Sequence, residues 1–530
     1  EDIVALAVLR LGRPVQLEHT RTEQFTSTSV RHPMRMRVRV GAAADGRLTG
    51  IELDLLSNTG AYGNHGPGVM FHGTGECIAV YNCPNKKVDA RVVYTTTVPS
   101  GAFRGYGLSQ SVFAIESAMD ELARRLGVDP LEFRRINAVR EGGPMVSTDP
   151  VPAADVEFGS YGLDQCLDLV AGALERGAGR EARLPAPPGD PEGDRLEGGG
   201  FDGDWAVGTG TALSMIDSVP PNGHFGDATV SLLPDGTYVL KVGTAEFGNG
   251  TTTVHAQIAA TALGTTADRV RILQSDTDLV AHDTGAYGSA GTMVAGRAVL
   301  IAATGLAGKI AALAAEIAGA AGAVPGVVPA AAPSAPHLGP DGVRCAGADL
   351  AWAELAAAAA GRGMALEAHG HWAGTPRSVA FNVQGFRVAV NRATGELRIL
   401  HSVQAADAGF VINPLQCRGQ VEGGVAQALG SALYEEVVLD GAGAVVSDIL
   451  RQYHIPTFAD VPRTEVYFAS TKDRLGPLGA KSMSESPYNP VAPALANAIR
   501  DAVGVRLSRL PMSRDRIYLA LREAAGPPSG

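Results

Sequence analysis

The sequence is short of cysteine, has no excess of positive charge and lacks a clean apolar run. Its five cysteines (Cys77, Cys83, Cys166, Cys345 and Cys417) are an odd number at irregular spacings, and no C-x-x-C pair occurs in the 530 residues. That pattern argues against zinc or iron–sulfur ligation by this chain. So few thiols suit a reducing, cytoplasmic compartment, and a periplasmic enzyme would look the same. The formal charge is −11, and Lys and Arg are scattered rather than gathered in a stripe. A nucleic acid or an anionic membrane as main partner is therefore disfavoured. The longest apolar stretch, Ala298 to Val327, is Ala/Gly-rich and interrupted by Lys309 and Glu316. It reads as a packed or surface helix rather than a membrane span. An initiator Met is also missing: the chain opens on Glu1-Asp2-Ile3-Val4 in a helical pattern. We expect a piece that starts inside a domain, so the lack of a signal peptide carries no information.

What is present is a large globular chain, 45% hydrophobic and 19% charged, with apolar material for at least two cores. Its 66 glycines and 32 prolines imply many tight turns. Three segments share one form, an alternating strand, a Gly turn and a second strand. They are Met36 to Val40 with Leu48 to Leu55 around Asp45-Gly46, Ala228 to Leu233 with Thr237 to Val242 around Asp235-Gly236, and Phe386 to Val390 with Leu397 to Val403 around Thr394-Gly395. Helices are expected at Val112 to Leu126, Gly162 to Leu174, Thr252 to Leu263, Ala295 to Ala318, Gly423 to Leu433 and Pro493 to Val503. A repeated β-hairpin–loop–helix plan is an α+β architecture with functional loops at one end of the sheets. Two segments, near 177–204 and 319–340, are rich in Gly, Pro, Ala or charge and read as flexible linkers or excursions.

Several loops could carry chemistry. Lys481-Ser482-Met483-Ser484-Glu485-Ser486-Pro487 precedes an alanine-rich helix. There a carboxylate either complements the helix dipole or is held as a base. Glu246-Phe247-Gly248-Asn249-Gly250-Thr251 leads from a strand into a helix, and offers either a ligand-approaching backbone or ordinary capping by Thr251 or Thr252. The same two readings apply to Ser289-Ala290-Gly291-Thr292. In Gly101-Ala102-Phe103-Arg104-Gly105-Tyr106-Gly107, Arg104 could present its fork to an oxyanion while Tyr106 stacks on a planar substrate. A surface Arg beside a buried Phe is the commoner outcome. Gln420 reads as a polar residue before a helix. His72 and His401 have no ligand-spaced partners and read as structural histidines.

Taken together and in order, these strings resemble the molybdenum-binding large subunit of the xanthine dehydrogenase and aldehyde oxidase family. The likeness runs over essentially the whole chain. It is carried by Leu11-Gly12-Arg13-Pro14-Val15, Arg31-His32-Pro33, the loop from Phe103 to Tyr106, Phe247 to Gly250, Gly419-Gln420-Val421-Glu422-Gly423 and Lys481 to Glu485. The resemblance implies a two-lobed molybdopterin-binding architecture with the cofactor held between lobes, the first domain being 1–158, N-terminally truncated, and the second 159–530. It implies that Glu485 is the active-site base. Phe103, Arg104, Gly105, Asn249, Gly250, Ser289, Ala290, Gly291, Gln420, Lys481, Ser482, Met483 and Ser484 match cofactor-holding positions, and Tyr106, Phe71 and His72 lie on the substrate side. No protein side chain is expected to bind the metal directly.

There are departures. The family's upstream glycine-rich loop would precede Glu1. Purine-oxidising members carry an Arg where Phe71 or His72 stands, which lowers the odds of xanthine itself. Asn249 stands where Gln is common, and Ser484 where Gly is common. Gly105 replaces the copper-binding cysteine of carbon monoxide dehydrogenases, which counts against that branch. The implied activity is hydroxylation of an aldehyde or N-heteroaromatic carbon with water-derived oxygen. The cofactor would be molybdenum with molybdopterin, in its simple or cytosine dinucleotide form. Electrons would pass to iron–sulfur clusters and FAD on partner subunits. The alternatives are a xanthine or hypoxanthine dehydrogenase proper, and a scaffold homologue without cofactor.

Overall fold

The computed structural model describes residues 2–147, 155–178, 204–219, 223–322 and 336–526. The three hairpins form where Gly supplies the turn: Gly46, Gly236 and Gly395 all have positive φ (85°, 82° and 70°). Side chains fasten each turn, with the Arg47 and Thr237 amides donating to Asp45 and Asp235, and the Ala393 and Thr394 amides to Asn391. The strands are Met34–Ala42 with Leu48–Asn58, Gly226–Leu232 with Tyr238–Val242, and Arg377–Asn391 with Leu397–Ala406, each pair antiparallel.

Each hairpin is one half of a larger unit. After its second strand the chain crosses over through helix and returns as a third strand parallel to the second. Lys86–Val93 lies parallel to Leu48–Asn58, Val270–Gln274 to Tyr238–Val242, and Thr464–Phe468 to Leu397–Ala406. The crossovers contain Gly66–Thr74 with Glu76–Ala79, then Thr251–Leu263, then Pro414–Leu433. The architecture is α+β, and the repeat is a β-hairpin, a crossover helix and a parallel strand, used three times. Beyond the carboxyl ends of parallel strands lies the natural ligand crevice of such sheets. Six loops here leave the second and third strands of the three units.

Most expected helices are found with shifted ends, as Leu108–Leu126, Leu163–Ala178, Thr251–Leu263, Gly296–Gly322 and Val491–Val503. One differs substantially. The helix expected from Gly423 starts at Pro414, with Asn413 as N-cap accepting from the Gln416 amide. Gln420 is therefore inside it, not ahead of it. The glycines at 419, 423 and 424 mask helicity in the sequence, and the Asn-Pro start supplies a cap and a first-turn proline. Of the soft segments, 179–203 and 323–335 lie outside the described residues. The stretch near 319–340 is helical as far as Gly322 and a strand from His337 to Gly339. The apolar helix within Gly291–Gly319 is long and apolar enough by length and composition to cross a bilayer. Its Ala298, Val299, Ala302, Leu306 and Ile310 are fully buried. At Gly370 on the sheet beneath it, a Cβ would lie 2.2 Å from the Ala298 carbonyl oxygen. That helix belongs to the core.

The helix Val491–Val503, which follows Glu485, uses the same device. It lies directly on the strand Trp205–Asp217, where a Cβ at Gly208 or Gly210 would come within 2.2 or 2.1 Å of its backbone. The buried Asn497 side chain donates to the Thr211 carbonyl at 2.9 Å, locking register. Backbone contact this close, from Ala494 to Ala502, fixes the body of the helix, and through it the loop that precedes it. Gly210→Val should destabilise the protein by about 3 kcal/mol or more, since neither backbone can yield. Urea unfolding of the two proteins measures it, and an unchanged midpoint would contradict this packing.

Candidate active site

Arg104 is the joint of the site. Its Nε donates to the Ser484 carbonyl at 2.6 Å, and its Nη2 to the Gln420 carbonyl at 3.0 Å. One side chain from the first unit thus grips the helix of the third unit and the loop after its last strand. Its own loop is held in turn. Arg31 donates to the Arg104 carbonyl at 2.7 Å and packs its guanidinium over Phe103 and Tyr488, 4.3 and 4.8 Å from the ring centroids. Gly105 and Gly107 have φ of 89° and 86°. At Gly105 a Cβ would lie 2.7 Å from Asn489 Oδ1, so only glycine lets the loop approach the helix start there.

Glu485 lies partly buried beside this clamp. Ser289 Oγ donates to its Oε2 at 3.1 Å, and the Glu485 amide faces Ser289 Oγ at 3.4 Å. Burial pushes its carboxyl above the usual range, and His72, Ser289, the Gly105 N–H and Arg104 offset part of that rise. A carboxylate whose basicity is raised by desolvation, yet which keeps fixed donors, is suited to taking up a proton. Ser289 reaches it from a strained turn, with φ of 62° and almost no exposure. Ala290 and Gly291 are buried beside it, and Gly291 begins a π-helical turn. A Cβ at Gly291 would lie 3.1 Å from the Thr251 methyl, so the two loops of the second unit touch.

Other expected residues fall into two groups. Tyr106 donates to or accepts from His65 Nδ1 at 2.6 Å, and its ring meets His72 edge-on at 5.4 Å. His72 turns inward with 16% of its side chain exposed, whereas Phe71 is 61% exposed, so His72 is the member of that pair nearer the carboxylate. Asn249 and Gly250 stand at the start of Thr251–Leu263, but several of the N–H donors there are already used. Glu246 accepts from the amides of Gly248, Gly250 and Thr252 at 2.7, 3.1 and 3.0 Å. That helix start is capped from within the loop, which leaves the Asn249 and Gly250 surface rather than a bare helix terminus.

Lys481 points away from the site. Its ammonium lies in the core, 2.6 Å from Asp407 Oδ2 and 2.9 Å from the Ser160 carbonyl, with both charged side chains fully buried. Ser482 and Met483 are buried next to it. This lysine anchors the loop rather than offering its charge to a ligand.

Sequence reasoning gave no site role to Arg31, although its string helped carry the resemblance, and it missed Glu76 and Asp217. Glu76 had a legible signal, since it stands four residues after His72, a spacing that juxtaposes side chains on helical backbone. His72 Nδ1 lies 3.0 Å from Glu76 Oε1, which corrects the expectation that His72 has no partner. Asp217 arrives from the end of the strand Trp205–Asp217, where no local pattern announces it. His72, Glu76 and Asp217 bring ligand-type atoms within 4.8 Å of one another. Asp217 is also hydrogen-bonded to Arg377, which pairs with Asp155 at 2.7 Å, so the cluster is balanced by cations of the chain itself. His401 contacts Glu465 at 3.3 Å, away from this site.

A clamp joining loops of separate units around a carboxylate and a glycine-lined backbone defines a site for a large cofactor. The chain belongs to the molybdopterin cofactor-binding family of molybdenum hydroxylase large subunits. Two molybdopterin cofactor-binding domain models match it, over residues 1–138 and 194–462. It is 32% identical to the probable hypoxanthine oxidase of Escherichia coli K12, over 99% of this chain and 52% of that protein. To the putative xanthine dehydrogenase molybdenum-binding subunit of the same strain it is 32% identical, over 98% and 66%. The chain thus spans about half to two thirds of the length of these relatives. Among solved structures, quinoline 2-oxidoreductase of Pseudomonas putida 86 matches with a TM-score of 0.82 at 25% identity, over 98% of this chain and 66% of that one. Aldehyde oxidoreductase of Desulfovibrio gigas matches at 0.78 and 26%, over 98% and 52%.

The residues present fit such a group. Both polar atoms of the Asn489 side chain, beside Gly105, are buried without a partner among the described residues. So is Gln416 Oε1, which a Cβ at Gly250 would approach to 3.0 Å. Buried polar atoms left open along the glycine-lined loops are what a polar cofactor satisfies. Replacing Arg104 by Ala should cost about 2–4 kcal/mol, as two hydrogen bonds from a charged donor are lost, and should lower molybdenum content. Lysine should not rescue it, because a single ammonium cannot reproduce the fork. Metal analysis with urea unfolding of both variants checks this; full metal content in Arg104→Ala would contradict the clamp.

Proposed function

We propose that this chain is the catalytic, molybdenum-binding part of a hydroxylase that oxidises an aldehyde or an N-heteroaromatic carbon with oxygen drawn from water. The observation that carries the reading is the placement of Glu485, hydrogen-bonded to Ser289 at 3.1 Å beside the Arg104 clamp. Phe103, Arg104, Gly105, Asn249, Gly250, Ser289, Ala290, Gly291, Gln420 and the backbone from Lys481 to Ser484 would hold the molybdopterin. When bound, the group supplies an acidified oxygen ligand and a two-electron acceptor. The chain supplies the rest. Glu485 takes the proton on its carboxylate, Ser289 fixes the orientation of Oε2, and Arg104 holds the loop that carries the base. Tyr106 offers a ring face to a planar substrate, with His65 fixing its hydroxyl.

The electrons must leave. Among the described residues the cysteines are free and separate, four of them buried, so we assign the iron–sulfur clusters and FAD to partner subunits or to further sequence. The cytosine dinucleotide form of the pterin and a cytoplasmic location are part of the same proposal. The division at 158 into two cofactor-binding domains belongs to it as well. A purine substrate is the second reading, supported by the likeness to the probable hypoxanthine oxidase and the putative xanthine dehydrogenase subunit of Escherichia coli.

Glu485→Gln should keep molybdenum content and lower substrate-dependent reduction of an artificial electron acceptor by about a hundred- to ten-thousandfold. Near-normal turnover would refute the assigned role, and a metal-free native preparation would favour a cofactor-less scaffold instead. In the unmodified enzyme the acidic limb of kcat should lie above the ordinary carboxylate value of about 4.3, because the base is active only when ionised and burial raises its pKa.

A further inference from the structure

The Arg104 clamp grips the chain just before Glu485, at the Ser484 carbonyl. The sheet of the third unit grips it just after. Gln404, in the strand Leu397–Ala406, donates from Nε2 to the Pro487 carbonyl at 2.9 Å. Its other Nε2 proton goes to Gln384 Oε1, also at 2.9 Å, and its Oε1 accepts from Asn382 Nδ2 at 3.1 Å. A primary amide has two protons to give, so both are committed, and the accepted bond fixes which way round the group sits.

These side chains form a polar row inside a core. Gln384 pairs directly with Gln404 across the antiparallel strands, and Asn382 and Ser402 share their face by the two-residue period. Gln384 Nε2 reaches Ser402 Oγ at 3.3 Å, and Ser402 shares a hydrogen bond of 2.9 Å with Thr464 on the neighbouring strand. Asn382, Gln384, Ser402 and Gln404 are fully buried and Thr464 nearly so. Apolar residues of the same shape would fill this face about as stably, because a hydrogen bond made in the core gains little over one made to water. What the amides add is direction. Of the side-chain bonds in the row, the one to Pro487 leaves the sheet.

The segment it holds is short and stiff. The Tyr488 and Asn489 amides donate to the Glu485 and Ser486 carbonyls at 3.1 and 3.3 Å, closing a tight helical turn over Ser486–Tyr488. Gly424, in the helix Pro414–Leu433, seats both grips. A Cβ there would lie 2.9 Å from Pro487 Cβ and 3.2 Å from Arg104 Nη2. Carbonyl groups on either side of Glu485 are thus held by donors from two different units of the fold.

We propose that Gln404 is a positioning residue that fixes the place of the Glu485 carboxylate through the Pro487 carbonyl, with Gln384 and Asn382 holding its amide in the donating orientation. The proposal rests on the reading of Glu485 as the base. Proton transfer depends steeply on placement, and a shift of about 1 Å can cost about a hundredfold in rate. Loss of this anchor therefore falls on turnover rather than on substrate binding.

The test uses the assembled enzyme. It compares Gln404→Met, which keeps the bulk and removes the donor, with Thr464→Val, which breaks the row at its far end and leaves every bond of Gln404 in place. Urea midpoints and molybdenum content are measured on both. Hydrogen exchange at the Tyr488 and Asn489 amides should be at least about fivefold faster in Gln404→Met and unchanged in Thr464→Val. With molybdenum content kept, kcat for substrate-dependent reduction of an artificial acceptor should fall at least about tenfold in Gln404→Met, with KM within about threefold. Thr464→Val should keep both constants. Unchanged exchange or unchanged kcat in Gln404→Met, or equal losses in Thr464→Val, would overturn the proposal. Should Gln404→Met not fold, the joint Gln384→Met and Gln404→Met replacement, which removes both amides of the pair, is read the same way. Glu485→Gln separates the two readings. Near-normal turnover in that variant removes the base and the proposal with it, whereas its loss beside a normal Gln404→Met removes Gln404 alone.

Discussion

Two hydrogen bonds from one guanidinium hold this site in shape. Arg104 joins the Ser484 and Gln420 carbonyls, groups that no local sequence relation brings together. A charged planar donor suits the task because it can serve two acceptors in fixed directions, and each bond is stronger than a neutral one. Burying it disfavours its charge, and nearby Glu485 partly compensates. Arg31, stacked on Phe103 and Tyr488, prevents the Arg104 loop from peeling away. Without that joint, the loop carrying Glu485 would be held on its far side by the Lys481–Asp407 pair and by the contact with Ser289, with nothing from the first unit gripping its backbone at Ser484.

The threefold use of one unit explains why the loops meet at all. In each unit the second and third strands run parallel, so both discharge their loops at the same end of the sheet. Phe71 and His72 follow the second strand of the first unit, and Arg104 follows its third. Gly250 and Ser289 hold the same two places in the second unit, and Gln420 and Glu485 in the third. Small residues then govern approach. Gly105 admits Asn489, while Gly208 and Gly210 admit a helix backbone where any Cβ would collide. The rigid part of the structure is thus brought up to the reactive part with no slack.

Buried charge here serves position more than stability. The Lys481–Asp407 pair is fully buried, as is Arg134, which bonds to Glu116 at 2.8 Å. Glu116 also accepts the Leu213 amide at 2.9 Å, tying the first unit to the strand that carries Asp217. Such pairs contribute little net stability over apolar residues of the same size, yet removing one partner costs about 3–5 kcal/mol. They therefore forbid alternative packings. Around the Glu485 carboxylate the same logic is tuned more finely, with burial raising it and His72, Arg104 and two hydrogen-bond donors restraining it.

How much was legible in the sequence follows from the range of each interaction. Hairpins were legible because Asp-Gly and Thr-Gly turns act over four residues. The returning parallel strands were not, because Val270–Gln274 and Thr464–Phe468 are short and pair with strands a whole crossover away. The helix from Pro414 was half hidden, since its glycines lower local propensity and tertiary packing restores it. Among site residues, the order of loop strings by itself pointed to the family, and that resemblance put Glu485 forward as the proposed base. The inward turn of Lys481, the Glu246 cap that uses up a helix terminus, and the pairing of His72 with Glu76 and Asp217 were decided only in three dimensions. Direction and charge balance depend on which side chains are brought within a few ångströms, and a linear string holds no distances.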